Sequence, residues 1–397
     1  MKSIRELYKI GRGPSSSHTM GPAKACQVFM KRYPADHYRV ILYGSLSLTG
    51  KGHLTDQVIK ETLKNVDVIF SSDFIEDHPN TMDLIAYKDK TEVGRARVYS
   101  IGGGIIRFEG ETFEETEHVY PHQSFQEIKT YCMKEKISLP DYVLRFEDAS
   151  IVSFLETIWE AMQSSIENGL SRDGVLPGAL KVERKARHLF VNVMKNEPAE
   201  IFENRMVSAY AFAVNETNAS GGFVVTAPTC GASGTLPAVL KYMSERHRFS
   251  KRKVLRALMT AGIIGNVIKH NASISGAEAG CQAEVGSACS MAAAAHAQLF
   301  NLSLNQIEYA AEIALEHHLG LTCDPILGYV QIPCIERNAV AALRAIDACG
   351  LAYFLSDSRK IDFDTVVETM FETGKDMPAN YRETSCGGLA KRYKVDS

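Results

Sequence analysis

The chain of 397 residues is 45% apolar and 23% charged, with a net charge of −3, the balance of a globular protein long enough for two cores. It offers no basic face for nucleic acid and no polybasic membrane anchor, and runs such as Met291-Ala-Ala-Ala-Ala-His296 meet polar residues before they can span a bilayer. A charged start without a signal-peptide core, and nine cysteines without compact disulfide spacing, point to a reducing cytoplasm.

In chain order, the first feature is Gly11-Arg-Gly-Pro-Ser-Ser-Ser-His-Thr-Met-Gly-Pro22. Ser15, Ser16 and Ser17 crowd small donors ahead of a helix expected to begin near Pro22, a setting that suits a carboxylate or phosphate. His18 adds a titratable group. The bland alternative is a polar linker, but Gly-Pro pairs at both ends stiffen the segment. Strands are expected at Tyr38–Tyr43, Val66–Phe70 and Ala96–Ile101. Between the first two lies Tyr43-Gly-Ser-Leu-Ser-Leu-Thr-Gly-Lys-Gly-His-Leu-Thr-Asp56. It places His53 just before a short helix, Asp56–Leu63, with Thr55 as its N-cap. A helix start favours the neutral imidazole that a base requires. The glycine spacing fits neither a P-loop nor a dinucleotide fingerprint, so nucleotides are discounted. His78, in Asp77-His-Pro-Asn80, is a third acid–base candidate that reads equally well as a surface turn. A helix and connector are expected over 123–140, ending at Leu139-Pro140. Together these elements predict an α+β domain over residues 1–140.

Beyond Asp141 the apolar period becomes helical. Helices are expected at Ile151–Ile166, Lys251–Ile268, Ser287–Phe300, Ser303–His318 and Arg337–Leu355. Several are rich in Ala around the whole circumference, as buried helices are. The expectation is an all-α domain over 141–397 with buried central helices. Its polar, Gly-rich breaks, 217–234, 270–286 and 320–334, would gather unpaired amides at helix ends.

Those breaks carry the remaining motifs. Thr226-Ala-Pro-Thr-Cys-Gly-Ala-Ser-Gly-Thr-Leu-Pro237 offers Thr229 and Ser233 to a substrate carboxylate. Lys269-His-Asn-Ala-Ser-Ile-Ser-Gly-Ala-Glu-Ala-Gly-Cys281 leads Asn271 and Ser273 towards a cysteine. Cys323 and Cys334 bound Cys323-Asp-Pro-Ile-Leu-Gly-Tyr-Val-Gln-Ile-Pro-Cys334, followed by Arg337, which can pair with a carboxylate or with Glu336. Cys281, Cys323 and Cys334 each stand beside Gly, Pro or Asp rather than in an apolar stripe. Free cysteine is usually a small buried hydrophobe, yet three in turn-rich settings can hold three irons of a cubane and leave the fourth open as a Lewis acid. Structural zinc favours close cysteine pairs, and no Cys-x-x-Cys occurs. The spacing alone does not name a cluster, and Cys230 competes as a ligand.

These motifs, in this order over nearly the whole chain, resemble the iron–sulfur L-serine dehydratases of bacteria, in the single-chain form with a β-type domain ahead of an α-type domain. The resemblance implies a 4Fe–4S cluster on Cys281, Cys323 and Cys334, with Cys230 and Cys289 as non-ligands and no pyridoxal phosphate. It implies acid–base roles for His18, His53 and His78. Ser15, Ser16, Ser17, Thr229, Ser233, Asn271, Ser273 and Arg337 are then the expected contacts to a small amino-acid substrate, which becomes pyruvate and ammonia. A homodimer is the expected assembly, with neither nucleic acid nor membrane as partner. A related lyase for threonine or cysteine is the runner-up, and a cluster-based amino-acid-binding redox sensor the alternative from another class. The chain departs from the family at its end. Many relatives finish in a cysteine able to occupy the open iron, whereas the last ten residues here hold no thiol. An iron open to water or substrate, without slow activation, is therefore expected, with Cys386 as an ordinary buried thiol.

Overall fold

The computed structural model describes residues 1–397 apart from 74, 76, 112–117, 356–357 and 395–397. Its sheets are built from β1 (Ile10–Arg12), β2 (His37–Leu42), β3 (Val66–Phe70), β4 (Thr81–Lys88), β5 (Thr91–Ser100), β6 (Ile106–Phe108) and β7 (Phe223–Val225). Five strands form one mixed sheet in the order β3-β2-β4-β5-β6, with β2 and β3 parallel and the other pairs antiparallel. Inward residues Tyr38, Val40 and Leu42 of β2 alternate with less buried ones and meet Phe29 and Ile59 from the helices Gly21–Arg32 and Thr55–Leu63. The three expected strands are present. Four more were not expected, the short β1, β6 and β7 and the longer β4, which lies at the centre of the sheet and is buried from Thr81 to Ala86. A strand covered on both faces lacks the alternation that marks a half-exposed one.

From residue 125 onward the described chain is mostly helical. Helix Ser287–Leu299 is buried at every position, as its ring of alanines implies, and packs against Thr235–His247, Lys251–Asn271, Leu304–Glu316 and Cys334–Leu355. Helix Ala199–Ala219 was not legible as one, because buried Asn215, Glu216, Thr217 and Asn218 interrupt its apolar stripe. Three expected boundaries shift. Leu54, not Thr55, occupies the N-cap before Thr55–Leu63, without a side-chain cap bond. Leu139-Pro140 opens a helix, Leu139–Phe146, because proline suits the first turn and Ser138 with Asp141 forms a capping box. The last long helix starts at Cys334, three residues before the expected Arg337.

That helix, Cys334–Leu355, is long and apolar enough to cross a membrane on length and composition, against the expectation that no stretch spans a bilayer. Its Ala339, Ala342, Ala345 and Ala348 are nevertheless buried in the core cluster, as in a core helix. Two connections tie the sheet region to the helices. Met1, Ile4, Leu7 and Tyr8 pack into the helical core, with Tyr8 donating to the Leu258 carbonyl. Strand β1 pairs antiparallel with β7.

Candidate active site

Among the described residues, two five-residue π-helical turns occur, Ser16–Met20 and Gln282–Gly286. Both lie in motifs singled out above, and such turns are frequent at functional sites. The first is held by Ser15, whose hydroxyl accepts from the His18 amide, and by Asn218, which donates to the Pro14 carbonyl. Gly13 passes so close to Asn218 that a Cβ there would lie 2.2 Å from its side-chain oxygen.

The His18 ring is fully buried between hydroxyls. Nδ1 lies 2.9 Å from Ser17 Oγ and Nε2 lies 3.0 Å from Ser45 Oγ. Ser45 spends its own proton on the Glu383 carbonyl at 2.6 Å. It can therefore only accept from His18, which places the imidazole proton on Nε2 and lets Ser17 donate to Nδ1. Burial, opposed by Glu383 and reinforced by His53, lowers the His18 pKa to about 4. His53 stacks on His18, with ring centroids 4.4 Å apart. Its Nδ1 is 3.0 Å from the Thr49 carbonyl, an acceptor, so that nitrogen carries the proton. Nε2 is left facing Glu383 Oε1 at 3.4 Å. His18 Nδ1 is 3.7 Å from the same oxygen. Burial pushes the Glu383 carboxyl up, but His18, His53 and the Ala277 amide outweigh it and hold the group below its usual range.

Glu383 arrives from a C-terminal segment laced across the cysteine loop. Cys323 N donates to Tyr381 O, and Glu383 N returns the bond to Cys323 O, both at 2.8 Å. Ser385 donates to Pro325 O, and Asp324 accepts from Leu389 N. Cys281 precedes the second π-turn and Cys334 opens its helix. All three cysteines line one pocket with Ser15, His53, Glu284, Asp324, Arg337 and Glu383. Burial raises each thiol, Cys281 to about 11; Arg337 opposes the rise at Cys281, and Glu284 adds to it. Glu284 is raised as well, by burial and by Glu383, despite a hydrogen bond from Thr229. Gly276 makes room for these groups: a Cβ there would lie 2.9 Å from Glu284 Oε2 and 3.2 Å from Cys323 Sγ.

Arg337 is anchored by Thr322 O and by Asp324 Oδ1 at 3.2 Å, and it also reaches the Cys281 thiol. Its neighbour Asn338 joins the loops. Nδ2 donates to Gly231 O and Cys334 O, and Oδ1 accepts from Gly234 N and Thr235 Oγ1. Asn338→Ala strands several buried partners and is expected to lower stability by about 3 kcal/mol. The midpoint of urea unfolding measures the loss.

The remaining expected residues lie around this pocket or away from it. Ser16 is buried in the first π-turn, and Thr229 and Ser233 are buried at the start of helix Thr235–His247, the Ser233 hydroxyl without a protein partner. His78 pairs with Glu278 at 3.4 Å, outside the pocket lining, and Ser273 donates to the same carboxylate. Asn271 is exposed, its amide bonded to Val267 O and Gln123 O, so it does not join the site. Cys230, Cys289 and Cys349 are buried but are not among the residues lining the pocket, although Cys230 adjoins it through Gly231. Cys386 is exposed rather than buried: its sulfur contacts Thr384 O, and Glu383 is the residue of that segment that reaches inward. The end of the tail, Val395–Ser397, lies outside the described residues. Sequence reasoning missed Glu284, Asp324, Asn338, Ser45 and Glu383. Glu284, a charge set among Ala, Val and Gly, carried a visible signal, and Asp324 and Ser45 lay inside motifs already singled out.

Comparison with known proteins places this geometry in context. The profile of the family described as Serine dehydratase alpha chain matches residues 57–390, and that described as Serine dehydratase beta chain matches residues 3–67. L-serine dehydratase 2 of Escherichia coli is 42% identical, over 99% of both chains. L-serine dehydratase 1 of the same organism is 41% identical over the full length of both. The L-serine dehydratase of Haemophilus influenzae is 41% identical, over 98% of this chain and 99% of its own.

Proposed function

The chain belongs to the serine dehydratase family, and from that membership we propose that it deaminates L-serine to pyruvate and ammonia with the help of a 4Fe–4S cluster. The observation that carries this reading is the convergence of Cys281, Cys323 and Cys334 with His53 and Glu383 in one buried pocket. The donor set suits a metal centre. Three thiols and the carboxyls of Glu284, Asp324 and Glu383 share a space in which, among the described lining residues, Arg337 is the one permanent cation. Such a set calls for added positive charge, and thiolates favour iron–sulfur clusters.

Cys281, Cys323 and Cys334 would hold the cluster, which when bound supplies a Lewis acid for the β-hydroxyl. The chain's own groups do the rest. Arg337 and the hydroxyl of Ser15, which line the pocket, orient the carboxylate, with Ser16, Ser17, Thr229 and Ser233 shaping the loops around them. His53 takes the α-proton at Nε2, because its Nδ1 proton is engaged by Thr49. Pro14, Pro325, Val330 and Pro333 wall the pocket and exclude water. Loss of the α-proton and the β-hydroxyl leaves an aminoacrylate, which tautomerises and hydrolyses. His18 supports the ring of His53, and His78 acts with Glu278 at the rim. The two functional units in this reading are 1–140 and 141–397, in a cytoplasmic homodimer.

Anaerobic reconstitution tests the proposal. The loaded protein should be brown and should release pyruvate from serine, with threonine and cysteine run as competing substrates. Brown protein that binds serine without turnover would favour the sensor instead.

A further inference from the structure

A buried carboxylate that touches two imidazoles has no part yet in the reaction. Glu383 is 4% exposed, its Oε1 lies between His53 Nε2 and His18 Nδ1, and its Oε2 has no hydrogen-bond partner. Its backbone stands at φ +55°, a conformation that costs a non-glycine residue energy and persists only where the surroundings impose it. The imposition is visible: the amide is held by Cys323 O and the carbonyl by Ser45 Oγ. The segment is thus fixed on both sides in a strained geometry whose result is to aim this one side chain at the histidines.

We propose that Glu383 is the positioning residue of the acid–base pair, holding the His53 ring at its Nε2 edge and stabilising the imidazolium formed when that nitrogen takes the α-proton. The inference rests on the reading of His53 given above. The 3.4 Å separation is longer than an ordinary N–H···O bond of about 2.9 Å, which leaves the resting Nε2 uncommitted. Once Nε2 carries a proton, the same pair becomes a charge-assisted hydrogen bond and tightens. Catalytic contacts that are long at rest and short in the reacting complex are the usual pattern. Thr49 O fixes the tautomer through the Nδ1 proton, and the carboxylate stands ready at the opposite edge for the charge that appears when Nε2 is protonated.

The test compares Glu383→Gln, Glu383→Asp and His53→Ala in anaerobically reconstituted protein. Glu383→Gln preserves shape and removes charge. It is expected to lower kcat by roughly a hundredfold while KM for serine changes little, because the lost interaction is made in the transition state. The isotope effect with α-deuterated serine should rise as proton abstraction becomes more limiting, a change that a merely structural role would not produce. Visible absorption and the urea midpoint should match the wild type, and Glu383→Asp, with a shorter carboxylate, should fall between Gln and wild type. Turnover within about twofold of wild type in Glu383→Gln, or an equal loss accompanied by bleaching, would overturn the inference. If Glu383→Gln is normal while His53→Ala is inactive, only the positioning role falls. If His53→Ala itself is normal, the assignment of the base falls first.

Discussion

Cys281→Ser, Cys323→Ser and Cys334→Ser are each expected to abolish both the visible absorption of the reconstituted protein and its serine turnover. The three sulfurs come from separate places: the residue before a π-turn, a loop tied to the C-terminal segment, and the first residue of a long helix. No two can compensate for the third, because a hydroxyl is a harder and weaker ligand for cluster iron than a thiolate. Folding should survive the change, since Ser is nearly isosteric with Cys and the pocket already buries carboxyls. Two controls separate ligand loss from general damage. Cys349 is buried in helix Cys334–Leu355 and Cys386 is exposed, so Cys349→Ala and Cys386→Ala should keep full absorption and near-normal activity. Ultraviolet–visible spectra and iron content per chain check the set. Full occupancy in any one of the three serine variants removes that residue from the ligand set.

The histidine pair and the cysteine loops were legible for different reasons. Residue chemistry and turn-forming neighbours single out His18, His53 and the three cysteines in the sequence, and the fold brings all five to adjoining positions. Ala-rich periodicity likewise foretold the buried helix Ser287–Leu299. What stayed hidden depends on contacts between distant segments. Glu383 sits in Tyr381-Arg-Glu-Thr-Ser-Cys-Gly-Gly388, which reads as a polar surface loop, and only the ladder to Cys323 turns it inward. Asn338 looks like one polar residue at a helix start, and its importance lies in the four partners it joins. Asn271 erred the other way. Its neighbours in sequence lead to Cys281, but helix Lys251–Asn271 ends with that side chain turned to the surface. Proximity along a motif predicted proximity in space only where the backbone stayed extended or tightly turned.

His53→Ala is expected to lower kcat for serine by roughly two to four orders of magnitude while leaving the absorption spectrum unchanged. The spectrum should survive because the three proposed cysteine ligands come from other segments. The activity should not, because the ring's environment leaves it one function. Nδ1 is engaged by Thr49 O, the ring face rests on His18, and Nε2 alone opens towards the pocket that holds the cysteines. His18 differs in kind. Both of its nitrogens are bonded to serine hydroxyls, and burial holds it neutral with a pKa near 4, so it is suited to organising Ser17 and Ser45 rather than to taking a proton at neutral pH. His18→Ala should therefore reduce turnover less than His53→Ala. The two variants should differ under rescue: added imidazole can replace a missing base at Nε2, but it cannot rebuild a buried hydroxyl network. Near-normal turnover in His53→Ala would shift the role to His18 or to Ser17, whose hydroxyl lies 2.9 Å from His18 Nδ1 and would then be the group that His18 activates.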